Sequence, residues 1–203
     1  MIEYNVDRRL LDACEILRRG EYKHLTVHGS FNQERANKFE EDFHIATLTG
    51  QPIIPIMISS YGGSIDQLNR MIDIIETAPV PVATIAKGMC MSCGSFLLAA
   101  GTEGYRWASR GCSIMIHDLQ AGDFNKAEDV LSDARTLKKW RELVFHRLDE
   151  QTHKEKGHWL KTLRGKGNTD YYLSAGQAKR FKMIDHVGIP RFKVNINMRT
   201  SFE

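Results

Sequence analysis

The octapeptide Gly88-Met89-Cys90-Met91-Ser92-Cys93-Gly94-Ser95 carries the densest set of reactive side chains in the chain. It lies between the apolar runs Val82-Ala83-Thr84-Ile85-Ala86 and Phe96-Leu97-Leu98-Ala99-Ala100, the layout of a strand, a glycine-containing turn and a helix. A serine in that turn sits at a helix N-terminus, where unpaired N–H groups favour negative charge. An acyl-transfer nucleophile needs such a place, because its tetrahedral intermediate carries an oxyanion. The same position also suits a serine that merely caps the helix through its hydroxyl. Cys90-x-x-Cys93 adds a rival from redox chemistry, since a C-x-x-C at a helix start lowers a thiol pKa. Two small apolar residues packing a tight turn is the plainer account of that pair. No second C-x-x-C supplies the further ligands of a metal site, and neither a metal nor a cofactor is expected.

A nucleophilic serine requires a base. Of eight histidines, His117 stands apart because it ends the apolar run Ser113-Ile114-Met115-Ile116. A strand there delivers it to the sheet edge shared by Ser92 and Gly63, although a strand-end histidine is often only packed or solvated. Asp118 points to the opposite face of that strand and is not taken as its orienting group. Ser60-Tyr61-Gly62-Gly63 forms a second strand end, where adjacent glycines allow close backbone approach and present N–H groups to a ligand.

The elements that must position these residues follow from periodicity. Val6, Leu10, Leu11, Cys14 and Leu17 share helical spacing, and residues 33–48 form a helix with Phe39, Phe43 and Leu48 on one side. Residues 25–29, 82–86, 105–108 and 113–116 read as strands, as does 53–58, where Pro55 sits awkwardly in an interior position. Ile65, Leu68, Met71, Ile72 and Ile75 mark an amphipathic helix between two of them, and residues 88–94 form a turn. The longest periodic segment is 124–154, whose Val130, Ala134, Leu137, Trp140, Val144 and Leu148 line one face. A helix at 158–163, a glycine-containing loop at 165–168 and a last helix from Ser174 complete the chain. Strands alternating with helices predict an α/β fold with a largely parallel sheet. A 30-residue helix is about 45 Å long, too long for one domain to cover, and so is expected to pack on another subunit.

Composition narrows the class. A chain of 203 residues suits a single domain of residues 1–203 and buries about 70% of its unfolded surface without disulfides or metals. The net charge of +3 and pI near 8.6 come from scattered charges, which gives nucleic-acid binding no support. The opening residues have no basic-then-apolar signal pattern, so a reducing, cytoplasmic setting is expected. The nearly uncharged stretch 78–100 is broken by Pro79, Pro81, Gly88 and Gly94, and no membrane span is expected.

Taken in order, these motifs resemble the Clp protease proteolytic subunit (ClpP) family, from Leu25 to Val187. Ser60-Tyr61-Gly62-Gly63 is similar to the family's Ser-Pro-Gly-Gly, and the Ser92 turn to its Gly-x-Ala-x-Ser-Met-Gly. Arg106 with Met115-Ile116-His117, and Leu173-Ser174-Ala175 with Ala178, match two more of its segments. The resemblance implies a ClpP/crotonase-like fold of repeated β-β-α units, with 124–154 as a protruding handle helix for oligomerisation. It implies a serine endopeptidase with Ser92 as nucleophile, His117 as base, and the N–H groups of Gly63 and Cys93 as oxyanion hole. It also implies a homo-oligomer of two stacked heptameric rings, fed with peptide or unfolded protein by an AAA+ ATPase.

Three departures qualify what is carried over. The position aligned without gaps to the family's catalytic Asp holds Lys166, with Asn168 and Asp170 nearby as replacements. His117-Asp118-Leu119-Gln120-Ala121-Gly122 replaces the family's His-Gln-Pro-Leu-Gly-Gly, and residues 1–24 diverge from its N-terminal segment. Three further readings follow: a catalytically impaired subunit with a structural or regulatory role, a crotonase-like acyl-CoA enzyme using paired N–H groups without Ser92, and a thiol-disulfide protein.

Overall fold

The computed structural model describes residues 7–19, 21–119, 130–167 and 169–191, apart from the side chains of residues 17 and 130–134. In chain order the elements are α1 (Arg8–Arg18), β1 (Leu25–Phe31), α2 (Gln33–Leu48), β2 (Ile54–Gly63), α3 (Ile65–Glu76), β3 (Val82–Met91) and α4 (Cys93–Ala99). They continue with β4 (Arg106–Ala108), β5 (Ser113–Ile116), α5 (Val130–Gln151), α6 (His158–Gly165), β6 (Tyr171–Ser174), α7 (Ala175–Arg180) and β7 (His186–Val187).

One sheet runs in the order β1-β2-β3-β4-β7, all parallel, as strand–helix–strand crossovers require. The edge of β3 is shared. Its residues 84–86 pair with β4, and its residues 89–91 pair with β5. β6 then adds to β5 antiparallel. This division sends β5 toward the end of β3, where the chain turns into α4.

Pro55 lies inside β2 between two partners, yet it breaks no ladder bond. The Ile54 N–H faces β3, donating to Pro81 at 3.0 Å, so the Pro55 nitrogen faces β1. β1 begins pairing only at Ile56, one residue later. The expected turn at 88–94 is much tighter than its sequence suggested. A register shift between Ile58 and Ser60 absorbs extra β3 residues around Gly88, whose φ is +70°, and the strand continues to Met91.

The core forms where periodicity placed it on α3, which buries Leu68, Met71, Ile72 and Ile75. On α2, Asn32 caps the first turn by accepting from Arg35 N at 2.8 Å, and Ala36, Phe39, Phe43 and Ala46 turn inward. Each large apolar side chain so buried is worth about 1.5–3 kcal/mol. Two expectations fail here. Leu48 remains 37% exposed, because it ends its helix. On α1 the buried residue is Ala13, while Leu10, Leu11 and Cys14 face out; the helix packs on α2 across its small residue.

The long helix also differs from the 124–154 expected. Its first part lies outside the described residues; the described part of α5 runs 22 residues, about 33 Å, and ends at Gln151. His153 adopts φ +53°, and buried Asp149 gathers the returning chain. Its carbonyl accepts from Lys154 N, and its carboxylate accepts from Gly157 N and Trp159 N. Those bonds start α6 instead of another turn of α5.

Arg106 locks the far side of the sheet. It is 2% exposed and meets Asp185 through two side-chain hydrogen bonds, Nε to Oδ2 at 3.0 Å and Nη2 to Oδ1 at 2.7 Å. Its Nη1 donates to the carbonyl of Gln151 at 2.8 Å, so one side chain ties β4 to the end of α5 and the approach to β7. Among the described residues no helix is long and apolar enough to cross a membrane.

Candidate active site

Ser92 is the single residue between β3 and α4, and its backbone is strained. Its φ of +51° and ψ of −124° lie where a side chain rarely goes, at a cost of about 1–3 kcal/mol. Such a sharp strand-to-helix turn pushes a nucleophile's side chain out of the backbone's path. Ser92 N donates to the carbonyl of Met115 at 2.9 Å, which extends the β3–β5 ladder by one step. Its own carbonyl opens α4, accepting from Ser95 N at 2.9 Å and Ser95 Oγ at 2.7 Å.

The hydroxyl does not cap the helix. It stands 2.8 Å from His117 Nε2, at hydrogen-bond distance. β5 therefore acts twice: Met115 holds the Ser92 backbone, and two residues later His117 meets the Ser92 side chain.

The glycine pair runs directly against this turn. A methyl group on Gly62 (φ +110°) would lie 2.6 Å from Ser92 Cβ, 3.0 Å from Ser92 Oγ and 3.2 Å from Cys93 N. One on Gly63 (φ +145°) would lie 2.5 Å from the Phe31 carbonyl oxygen. Both positions need glycine for conformation and for space. Ser60, fully buried, braces the pair: its hydroxyl accepts from Gly62 N at 3.0 Å and donates to the Gly29 carbonyl at 2.5 Å. This bracing role escaped the sequence reading, although the serine's place two residues before a Gly-Gly turn was its signal.

Cys93 begins α4, so its N–H has no intrahelical acceptor. Its Sγ donates to the Gly63 carbonyl at 3.2 Å, bringing the two expected oxyanion-hole residues into contact. Cys90 Sγ donates to Gly94 O at 3.1 Å. All four cysteines are free. Burial pushes the Cys93 thiol up to about 11 and the Cys90 thiol well above its ordinary value. That is opposite to the lowered pKa on which the thiol-disulfide reading depended.

The three candidate acid positions are placed differently. Lys166 follows the end of α6, exposed, with its Nζ 5.5 Å from the centre of the Tyr171 ring. Asn168 lies outside the described residues. β5 and β6 pair Ser113 with Ser174, Ile114 with Leu173, Met115 with Tyr172 and Ile116 with Tyr171. The last pair of that ladder, Ile116 with Tyr171, leaves His117 and Asp170 as the next residues on the two sides. Among the described residues no hydrogen bond joins the two.

Asp118 is engaged elsewhere. Its carboxylate takes two bonds from Arg141 of α5, at 2.5 and 2.6 Å, and one from Leu119 N at 2.8 Å. Those contacts with Arg141, outweighing the effect of burial, hold it below the usual carboxylate range.

Comparison with known proteins gives a consistent result. A family model described as Clp protease matches residues 10–191. The ATP-dependent Clp protease proteolytic subunit 2 of Bacillus licheniformis is 30% identical over 164 residues, 80% of this chain and 84% of that protein. The ATP-dependent Clp protease proteolytic subunit of Mesostigma viride is 33% identical over 130 residues, 64% of this chain and 55% of that one. The chain thus spans only about half of the second relative's length.

Proposed function

The chain belongs to the Clp protease family, and on that premise we propose that it is a serine endopeptidase with Ser92 and His117 as its catalytic pair. The observation that carries this reading is the 2.8 Å contact between Ser92 Oγ and His117 Nε2 at a strained strand–helix turn. His117 accepts the hydroxyl proton as Ser92 attacks the peptide carbonyl, then donates it to the leaving amine. Water reverses the sequence on the acyl-enzyme, with His117 as base again. The N–H groups of Gly63 and Cys93 bind the oxyanion in both steps. Asp170, next in register to His117, is the orienting carboxylate; it holds the imidazole and stabilises the imidazolium.

The substrates are peptides and unfolded protein, processed inside a homo-oligomer of two stacked heptameric rings. Both relatives are ATP-dependent Clp protease proteolytic subunits by name, which supports ATP dependence, and that falls to a separate AAA+ ATPase. A second reading, a catalytically impaired subunit, draws on one observation: among the described residues His117 has no hydrogen bond to a carboxylate. The crotonase-like reading leaves the Ser92–His117 contact without a purpose.

Labelling with a fluorophosphonate decides between the first two. Modification of Ser92, abolished by Ser92→Ala and by His117→Ala, is expected of the peptidase. An assembled protein that takes no label overturns it in favour of the impaired subunit.

A further inference from the structure

Arg141 and Phe145 lie one turn apart on the same face of α5. Arg141 grips Asp118, the residue after His117, through two charge-assisted bonds at 2.5 and 2.6 Å. Phe145 packs edge-on against Phe96 of α4, the helix that Ser92 begins, with ring centres 5.2 Å apart. One face of one helix therefore meets the residue that follows His117 and the helix that follows Ser92. The same helix is held to α3 by Arg147, which bonds Asp73 at 2.5 Å and Asn69 at 3.3 Å.

The ion pair is built to set geometry. Both side chains are about three-quarters buried, at 23% and 27% exposure. The planar guanidinium meets the carboxylate through Nε and Nη2, which fixes angle as well as distance. Asp118 Oδ1 also accepts from Leu119 N, so the carboxylate constrains the backbone leaving β5. Arg164 of α6 adds a second positive charge toward Asp118, and Glu142 on α5 a negative one toward Arg141. Asp118 stands where the family's motif has Gln, so the charge pair is a feature of this chain.

We propose that Asp118 and Arg141 are positioning residues that hold His117 at working distance from Ser92 and couple that distance to the placement of α5. The proposal rests on the Ser92–His117 peptidase reading. Without the clamp, the segment after β5 swings about a backbone that the ladders to β3 and β6 restrain only as far as Met115 and Ile116, and His117 moves with it. A displacement near 1 Å in such a pair costs about 10²-fold in rate.

The test measures fluorophosphonate inactivation of the assembled protein as a function of probe concentration, separating the maximal rate kinact from the half-saturating concentration KI. Asp118→Asn and Arg141→Met are expected to lower kinact by about 10- to 100-fold and leave KI within about twofold. Arg141→Lys, which keeps the charge and loses the fork, is expected to fall between wild type and Arg141→Met. The exchanged pair Asp118→Arg/Arg141→Asp recovers most of the rate. Single variants at wild-type kinact overturn the proposal, as does a loss that the exchanged pair fails to recover. A loss that tracks a fall in melting temperature or a change in assembly size also overturns it, because the pair is then merely structural. A wild type that takes no label at Ser92 overturns the peptidase reading and this one with it, whereas a labelled wild type with unaffected variants overturns this one alone.

Discussion

Ser92 N donates to the carbonyl of Met115 at 2.9 Å, so the residue proposed as nucleophile is bonded to the strand that His117 directly follows. A backbone ladder thereby brings the two reacting groups together, with only Ile116 between the bonded residue and His117. A ladder is stiff, which suits a pair that must meet within a few tenths of an ångström.

Replacing either member of the pair should abolish hydrolysis of a fluorogenic peptide. Ser92→Ala and His117→Ala are each expected to lower kcat by about 10⁶-fold, with the double variant no worse than the singles, because the two act as one unit. Additive losses in a double-mutant cycle would contradict that coupling.

Asp170→Asn is expected to lower kcat by about 10⁴-fold through loss of the imidazole's orientation, with melting temperature nearly unchanged because Asp170 is exposed. Lys166→Ala should leave kcat within about twofold. The reverse ranking would place the working group at 166 and refute the register assignment.

Gly62→Ala should inactivate without unfolding, since its methyl group would lie 2.6 Å from Ser92 Cβ and displace the serine. Gly63→Ala presses on the Phe31 backbone instead and should destabilise by about 1–3 kcal/mol. Thermal melts and peptidase assays on both variants separate the two effects.

Asp185→Ala leaves the buried Arg106 guanidinium without its counter-charge and should cost about 3–5 kcal/mol in denaturant unfolding. The pH dependence follows from the same pair. Burial acts to raise the Asp185 carboxyl, but the bonds and charge of Arg106 and the N–H groups of residues 104 and 106 prevail and lower it from 3.8. Its folded value is thus below its unfolded one, so its stabilisation is complete above about pH 5 and fades as pH falls through 3.8 toward the folded value. Wild type should lose more stability than Asp185→Ala over that acid range; parallel losses would refute the linkage.

Cys90→Ala/Cys93→Ala is expected to retain peptidase activity within about tenfold, because the oxyanion contact proposed for residue 93 uses its main chain. Complete loss of activity with wild-type stability would return the thiols to consideration.

Local patterns, read from the chain alone, determined a good part of this protein. Leu68, Met71, Ile72 and Ile75 announced the buried face of α3 by spacing, and Ser174 with Gln177 forms the capping box that starts α7. The strand–turn–helix around Ser92 was legible for the same reason: turn residues and periodicities act over a few positions. Tertiary structure decided what depends on distant residues. Ser92 and His117 lie 25 positions apart, and only the split edge of β3 shows that they meet. Register across β5 and β6, invisible along one chain, leaves Asp170 as the residue next to Tyr171, the partner of Ile116, which is the ground for proposing it over Lys166. Burial, a property of the whole packed molecule, raised the thiols that the turn by itself would have activated. The exposed Leu10 and Leu11 and the end of α5 at Gln151 belong with these, because neighbouring elements set which face turns inward and where a helix stops.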